Sequence, residues 1–327
     1  MRSPAMSSVI ERRLLVNYRV DPEVAASLLP TPLRPQLVNG WAVAGICLIR
    51  LGRLRPSWVP GWAGMRTENA AHRIAVEWDG AGGRQSGVYI PRRDSDSVAT
   101  VLAGGRLFPG EHHYASFDVR ETARNLHVAF ASTDGTARVS IDIRVAQRLQ
   151  GSALFAGLQD ASDFFRHGSA GLSATRDGGR LEGMELRADR WVTEPAEVRA
   201  VCSSFFDDAR LFPPGSVTLD CALLMRDIPV TWTTIQPTFS ATSATTSRLP
   251  EHSDPLCCAS PQARRPARRR RRPPRRTTLR PGSTSASRAR HLIKSDELAS
   301  ADPAEVIRLL RPCVHSLAAS PGHSGPP

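Results

Sequence analysis

The chain has 327 residues with 43 Lys plus Arg against 31 Asp plus Glu, a formal net charge of +12. That charge is unevenly spread: residues 1–236 hold 27 Arg against 25 acids, whereas the remainder holds 16 basic residues against 6 acids. All six Trp, all three Tyr and nine of ten Phe precede Pro237, so only the first part can build a core. The longest apolar run, Trp41 to Ile49, falls well short of the roughly 20 residues that cross a bilayer. The N-terminus carries no apolar region of about 7 to 15 residues such as a signal peptide needs, and a cytoplasmic location is expected. Cys47, Cys202 and Cys221 read as small core residues, and Cys257, Cys258 and Cys313 have no zinc-ligand spacing, so no metal is expected.

In chain order, Asp21-Pro22-Glu23 starts a helix, because Asp caps free amides, Pro fits the first turn and Glu suits the positive helix end. The helix runs to about Leu29, where Pro30 stops it. Trp41 to Leu51, bounded by Gly40 and Gly52, predicts a buried strand. Ala70 to Trp78 and Gln85 to Ile90 predict two strands of a hairpin through Gly80-Ala81-Gly82-Gly83. A short helix is expected over Asp96 to Leu102. A meander follows, His113 to Glu121, Asn125 to Thr133 and Thr136 to Val145, with an Asp134-Gly135 turn and strict period-two alternation of Leu126, Val128, Phe130 and of Val139, Ile141, Ile143, Val145. Helices are expected near Asp160 to Arg166 and Ser204 to Arg210, and strands near Leu181 to Trp191 and Val217 to Met225. The fold class is α+β, a sheet-dominated antiparallel barrel or meander with a few short helices. Beyond Gln236 the Ser/Thr/Pro/Arg-rich composition predicts a disordered tail, with one short helix near 302–310.

Three segments point to a site. Asn17-Tyr18-Arg19-Val20-Asp21, followed by a helix and Leu28-Leu29-Pro30-Thr31-Pro32-Leu33, resembles the entry segment of acetoacetate decarboxylases. Thr67-Glu68 resembles their Thr-Glu pair, and Gly105-Arg106 resembles the segment leading to their tandem lysines. From about Ser8 to Trp232 the chain more closely resembles the YqjF-like proteins (domain of unknown function 2071) of that superfamily. The shared phrases are Arg92-Arg93-Asp94, Gly105-Arg106-Leu107-Phe108-Pro109-Gly110 and Met225-Arg226-Asp227-Ile228-Pro229. The resemblance implies an acetoacetate decarboxylase-like domain over 8–235 and a tail over 236–327. In the decarboxylases a lysine forms a Schiff base with a β-keto acid. Here that position falls on His112-His113, or on His113-Tyr114, and imidazole cannot form an iminium; Lys294, in the tail, is the chain's only lysine.

The polar groups that remain suggest a small organic-acid pocket inside the barrel. Arg19 suits a two-pronged carboxylate contact, with Tyr18, Asn69 and Tyr89 beside it as substrate-binding candidates. Glu68 with His112 or His113 suits proton transfer, and a tandem His on a strand sends only one ring to a pocket. Each has a plainer alternative: Arg19 bridging to Asp21, Glu68 as a loop acid, Arg92-Arg93 as solvated surface rather than an anion gate. His72 is ambiguous, His127 reads as solvent-facing and His167 as a helix end before Gly168. Two other functions stay open, a non-catalytic structural or regulatory protein with a filled barrel, and nucleic-acid association through the arginine-rich tail. Expected partners are a small carboxylate and a second copy in a homo-oligomer; no cofactor and no membrane partner are expected. Borohydride reduction in the presence of acetoacetate is expected to trap no adduct on residues 1–236; an adduct mapped there by mass spectrometry would contradict the exclusion of Schiff-base chemistry.

Overall fold

The computed structural model describes residues 5–80, 83–105 and 108–236. The expected tail and its helix, the tip of the Gly80–Gly83 turn and Arg106 lie outside these. Thirteen strands and three α-helices run in the order β1 (Met6–Val20), α1 (Pro22–Ser27), β2 (Arg34–Pro35), β3 (Leu37–Val38), β4 (Trp41–Pro56), β5 (Met65–Gly80), β6 (Gly83–Ser95), α2 (Val98–Ala103), β7 (His112–Glu121), β8 (Asn125–Ser132), β9 (Arg138–Val145), α3 (Leu158–His167), β10 (Ala170–Ala174), β11 (Leu181–Arg187), β12 (Glu194–Ser203) and β13 (Val217–Ile235), with a 3-10 turn at Gly61–Ala63.

The strands form one mixed sheet, ordered β11-β10-β6-β7-β8-β9-β12-β13-β1-β4-β5-β2, in which β10–β6 and β6–β7 are parallel. Further pairings of β11 with β13 and of β6 with β5 close the sheet on itself. One closed circuit is the seven-strand ring β13-β1-β4-β5-β6-β10-β11, and this is the ring that encloses the site described below. The sheet is thus ring-like and mixed, a coarser arrangement than the antiparallel barrel the meander suggests.

Local signals explain several elements. Asp21 Oδ1 accepts from the amides of Glu23 and Val24, with Pro22 in the first turn of α1. The β8–β9 pair buries Leu126, Val128, Phe130, Val139, Ile141 and Ile143 on one face, as alternation requires. Residues 204–210 are turns rather than a helix: Asp207 Oδ2 accepts from the Ser203 amide and Asp208 Oδ1 from that of Arg210, side-chain bonds that compete with a helical ladder. Strands β1, β10 and β12 carry no clean alternation of apolar residues; from Leu14 to Tyr18 β1 is buried on both faces, which erases the period-two signal there. Cys202 is half-buried on β12 rather than a core residue. No helix among the described residues is long and apolar enough to cross a membrane.

Two cores lie on opposite faces of the central strands. From Arg12 onward, Leu14, Val16, Tyr18 and Val20 of β1 enter the first core with Ala42, Ala44, Ile46 and Leu48 of β4 and Ala222 and Leu224 of β13. The residues between them, Leu15, Val43, Cys47, Ile49, Cys221, Leu223 and Met225, enter the second core with Ala161 and Phe165 of α3. At the edge of the first face Glu68 accepts from Arg12 Nη2 and from Arg50 Nε, each at 2.5 Å, and both arginines also reach Glu121 at 3.6 and 3.3 Å. Arg12 is 1% exposed, so its charge depends on these carboxylates. Deeper in this core His72 is fully buried, 4.8 Å from the Phe205 ring centre, and neither ring nitrogen has a partner. Burial, with a smaller contribution from Arg92, pushes its pKa down to about 3.

Glu68→Ala leaves Arg12 buried beside a diminished counter-charge, and a loss of about 3–5 kcal/mol, roughly 10 °C in melting temperature for a domain of this size, is expected by calorimetry; a change under about 2 °C would contradict the pairing. His72 is neutral when folded, while the unfolded ring takes a proton below about pH 6.5. The stability it contributes is therefore complete above that pH and is lost as pH falls toward 3, at up to about 1.4 kcal/mol per pH unit. Urea titrations at pH 7 and 5 should show a smaller acid loss for His72→Phe than for the parent chain; an equal loss would sink this assignment.

Candidate functional site

Inside the seven-strand ring lies a cavity of about 140 Å³. Every strand of the ring supplies lining residues, joined by Thr100 of α2, the Phe108-Pro109 segment and His112 at the start of β7. Most of the wall is apolar, including Ile49, Leu54, Val88, Ile90, Met184, Leu186 and Trp232. Into this wall are set three arginines, Arg13, Arg73 and Arg93, and among the described residues none of them has a carboxylate partner at ion-pair distance.

Strand alternation places them. On β5, Asn69, Ala71 and Arg73 share the cavity face and Ala70 also borders the cavity, while Glu68 and His72 do not line it. Arg73 is 2% exposed; Nη2 donates to Asn17 Oδ1, and Nε and Nη1 have no partner. Its guanidinium also stacks over the Phe165 ring at 4.6 Å. Gly45 of β4 makes room here, since a Cβ there would clash with Val16 O and meet Arg73 Nη2 at 3.2 Å. Burial pushes the Arg73 pKa down to about 10, so the group remains a cation at neutral pH. Arg13 has only soft partners: Nε donates to Cys47 Sγ at 3.4 Å, Nη1 lies 3.9 Å from Met225 Sδ, and the guanidinium stands over Trp191 at 5.7 Å.

Arg93 donates from Nε to Ser173 Oγ at 3.2 Å. Burial brings its pKa down to about 10, partly offset by Cys47 and by Glu182, whose carboxylate is engaged by the Gly110 amide at 2.7 Å. Its neighbour Arg92 is instead consumed by structure, chelating buried Asp94 at 2.8 Å and reaching Asp134 at 3.2 Å. Asp94 borders the cavity with its charge already matched.

The sequence candidates divide accordingly. His112 lines the cavity; its Nδ1 sits 3.2 Å from Gly110 O, which only accepts, so Nδ1 carries the proton and Nε2 is the acceptor. Burial and then Arg93 push the His112 pKa down to about 3, leaving a neutral ring. His113 turns away and meets Asp134 at 2.8 Å. Asn69 borders the cavity, donating to Thr67 Oγ1 at 2.8 Å and accepting from Ser95 at 2.8 Å.

The expected convergence of Arg19, Glu68 and a histidine is corrected. Arg19 faces Val43 and Glu68 faces Arg50 on β4, seven residues apart and so roughly 23 Å along the strand. Arg19 lies over Trp41 at 5.7 Å and 3.9 Å from Asp220; Asp21, its expected partner, caps α1 instead. Glu68 is locked in the Arg12–Arg50 pair and does not line this cavity. Tyr18 stacks on Phe206 at 4.1 Å in the first core, where burial raises its pKa, and Tyr89, likewise raised by burial, packs against the same core. His127 binds Asp142 at 2.8 Å, and His167 ends α3 with Nδ1 2.7 Å from Asp163 O. Among the described residues no group of three or more His, Cys, Asp or Glu side chains is placed to hold a metal. Arg13 and Arg73 escape sequence reading because their strands are buried on both faces; counting by twos from Asn69 would have reached Arg73.

Several solved structures resemble this one. An acetoacetate decarboxylase from Legionella pneumophila aligns at 11% identity over 72% of this chain and 89% of that chain, with a TM-score of 0.47. The enduracididine biosynthesis enzyme MppR complexed with pyruvate aligns at 15% identity over 72% and 91%, with a TM-score of 0.43. An acetoacetate decarboxylase-like enzyme from Sphingomonas wittichii RW1 gives 13% identity over 72% and 95%, with a TM-score of 0.44. No curated protein matches in sequence. The model of the DUF2071 family, described as an uncharacterized conserved protein, matches residues 9–223, and the chain belongs to that family.

Proposed function

We propose that the domain binds a small organic acid in the ring cavity, with the carboxylate held by Arg73 and Arg93 and the apolar part against Ile49, Ile90 and Met184. The observation that carries this reading is the unmatched charge: Arg73 is buried, cationic, and has two nitrogens without partners. An unpaired buried cation is costly, and an entering carboxylate would offset it while supplying the missing acceptors. The apolar wall argues for an organic rather than an inorganic anion. A volume near 140 Å³ is close to the roughly 150 Å³ that accommodates benzene, which sets the size of the acid.

A filled-barrel structural protein is the weaker alternative, because it leaves Arg73 Nε and Nη1 without partners. Schiff-base decarboxylation is not part of the proposal, since residues 1–236 contain no lysine. Neutral His112, with Nε2 as acceptor, is a hydrogen-bond partner for a ligand hydroxyl or acid proton.

Benzoate is expected to raise the melting temperature of the full chain and benzamide is not. One charge-assisted bond is worth about 1.5–3 kcal/mol, so Arg93→Gln should remove most of the benzoate shift. Arg73→Met should abolish it while leaving the ligand-free melting point unchanged or higher, because a buried unpaired cation is replaced by an apolar chain. Arg19→Ala should keep the shift intact. Equal shifts with acid and amide, or a benzoate shift surviving both cavity variants, would overturn the proposal.

A further inference from the structure

Two free thiols, Cys47 of β4 and Cys221 of β13, face the second core, and their surroundings differ in kind. Cys47 is part of the cavity wall, and its sulfur accepts from Arg13 Nε at 3.4 Å. Arg73 and Arg93 line the same cavity wall as this sulfur. Cys221 does not line the cavity; its partner is Asn17 Nδ2 at 3.5 Å, and burial followed by Asp220 pushes its thiol up to about 12. The cavity independently calls for a ligand, because Arg73, 2% exposed, lines it with Nε and Nη1 unpartnered.

We propose that Cys47 is a nucleophile toward small carboxylates that carry an electrophilic carbon, which the cavity arginines gather and hold against its sulfur. This rests on the anion-binding reading and adds a covalent site to it. The contribution of the arginines is proximity: an anion drawn to Arg73 and Arg93 has its carbon chain directed to the remaining wall, where Cys47 is the cavity's one sulfhydryl. With an α,β-unsaturated acid, the sulfur lone pair forms an S–C bond at the β-carbon, the C=C π pair moves to the α-carbon, and that carbon takes the thiol's proton through solvent. The product is a thioether, with no net oxidation or reduction. With an α-halo acid, the S–C bond forms as the carbon–halogen bond breaks, halide leaves and the proton goes to solvent.

Iodoacetate and iodoacetamide differ chiefly in charge and serve as the probe pair. The full-length protein is treated with each, and alkylation at Cys47 and Cys221 is followed by peptide mass spectrometry, with free glutathione as reference. Relative to glutathione, Cys47 is expected to favour iodoacetate over iodoacetamide by about 10-fold or more, in the range that charge steering provides, while Cys221 stays unmodified. Saturating benzoate should protect Cys47, and Arg93→Gln should erase the preference; if that variant fails to fold, protection in the parent chain carries the test. Cys47 left unmodified by both reagents, while benzoate still raises the melting temperature, would overturn the nucleophile and leave the binding site standing. Alkylation without preference for the anion, and without protection by benzoate, would overturn both.

Discussion

The strands at the centre of this molecule bury both of their faces, and the site depends on that constraint. A strand between two cores sends successive side chains to opposite interiors, so residues adjacent in sequence meet different fates. Arg12 enters the face where Glu68 and Glu121 wait, and Arg13 enters the face where Cys47, Met225 and Trp191 wait. Glu68 and Asn69 divide in the same way, as do Arg92 and Arg93, and His112 and His113. One interior thereby pairs Arg12 and Arg50 with acids, while Arg13, Arg73 and Arg93 in the other have no carboxylate at ion-pair distance among the described residues.

This sorting has an energetic consequence. Arg12, Arg50 and Arg92 have carboxylates within 3.3 Å, and their charges are part of the architecture. Arg13, Arg73 and Arg93 meet sulfur, aromatic faces, an amide and a hydroxyl instead. Such partners orient a guanidinium without neutralising it. A lysine so placed would shed its proton, but arginine resists doing so, and the Arg73 value near 10 keeps the charge in place. On the proposed reading the cavity is a preformed complement for an anion, built on strands rather than loops.

The sequence revealed those parts of the fold where one face is buried and the other wet. The β8–β9 meander, the Asp21-capped helix and the β4 run were legible because their periods or caps are local. Strand β1 was not, since Leu14-Leu15-Val16 is apolar on both parities, and the 204–210 turns were misread because Asp207 and Asp208 bond the backbone locally. Within the site, His112 and Asn69 were named and do reach the cavity, while Arg19 and Glu68 were named and do not. The motifs marked the right segments, but a residue's side of a doubly buried strand emerges only from pairing register and bulges, such as those between Asn17 and Tyr18 and between His72 and Ile74. Cys47 reads as a small core residue in the sequence, and in the structure it stands in the same cavity wall as the three arginines.

The central claim is that unpaired guanidinium groups inside the seven-strand ring receive a carboxylate. A crystal structure of the protein determined with benzoate tests it most directly. The account predicts the ligand inside the ring, with a carboxylate oxygen within about 3.2 Å of a nitrogen of Arg73 or Arg93 and its ring against Ile49, Ile90 and Met184. Benzoate bound on the surface, or a ring interior closed over by a rearranged carboxylate of the chain itself paired with Arg73, would contradict it.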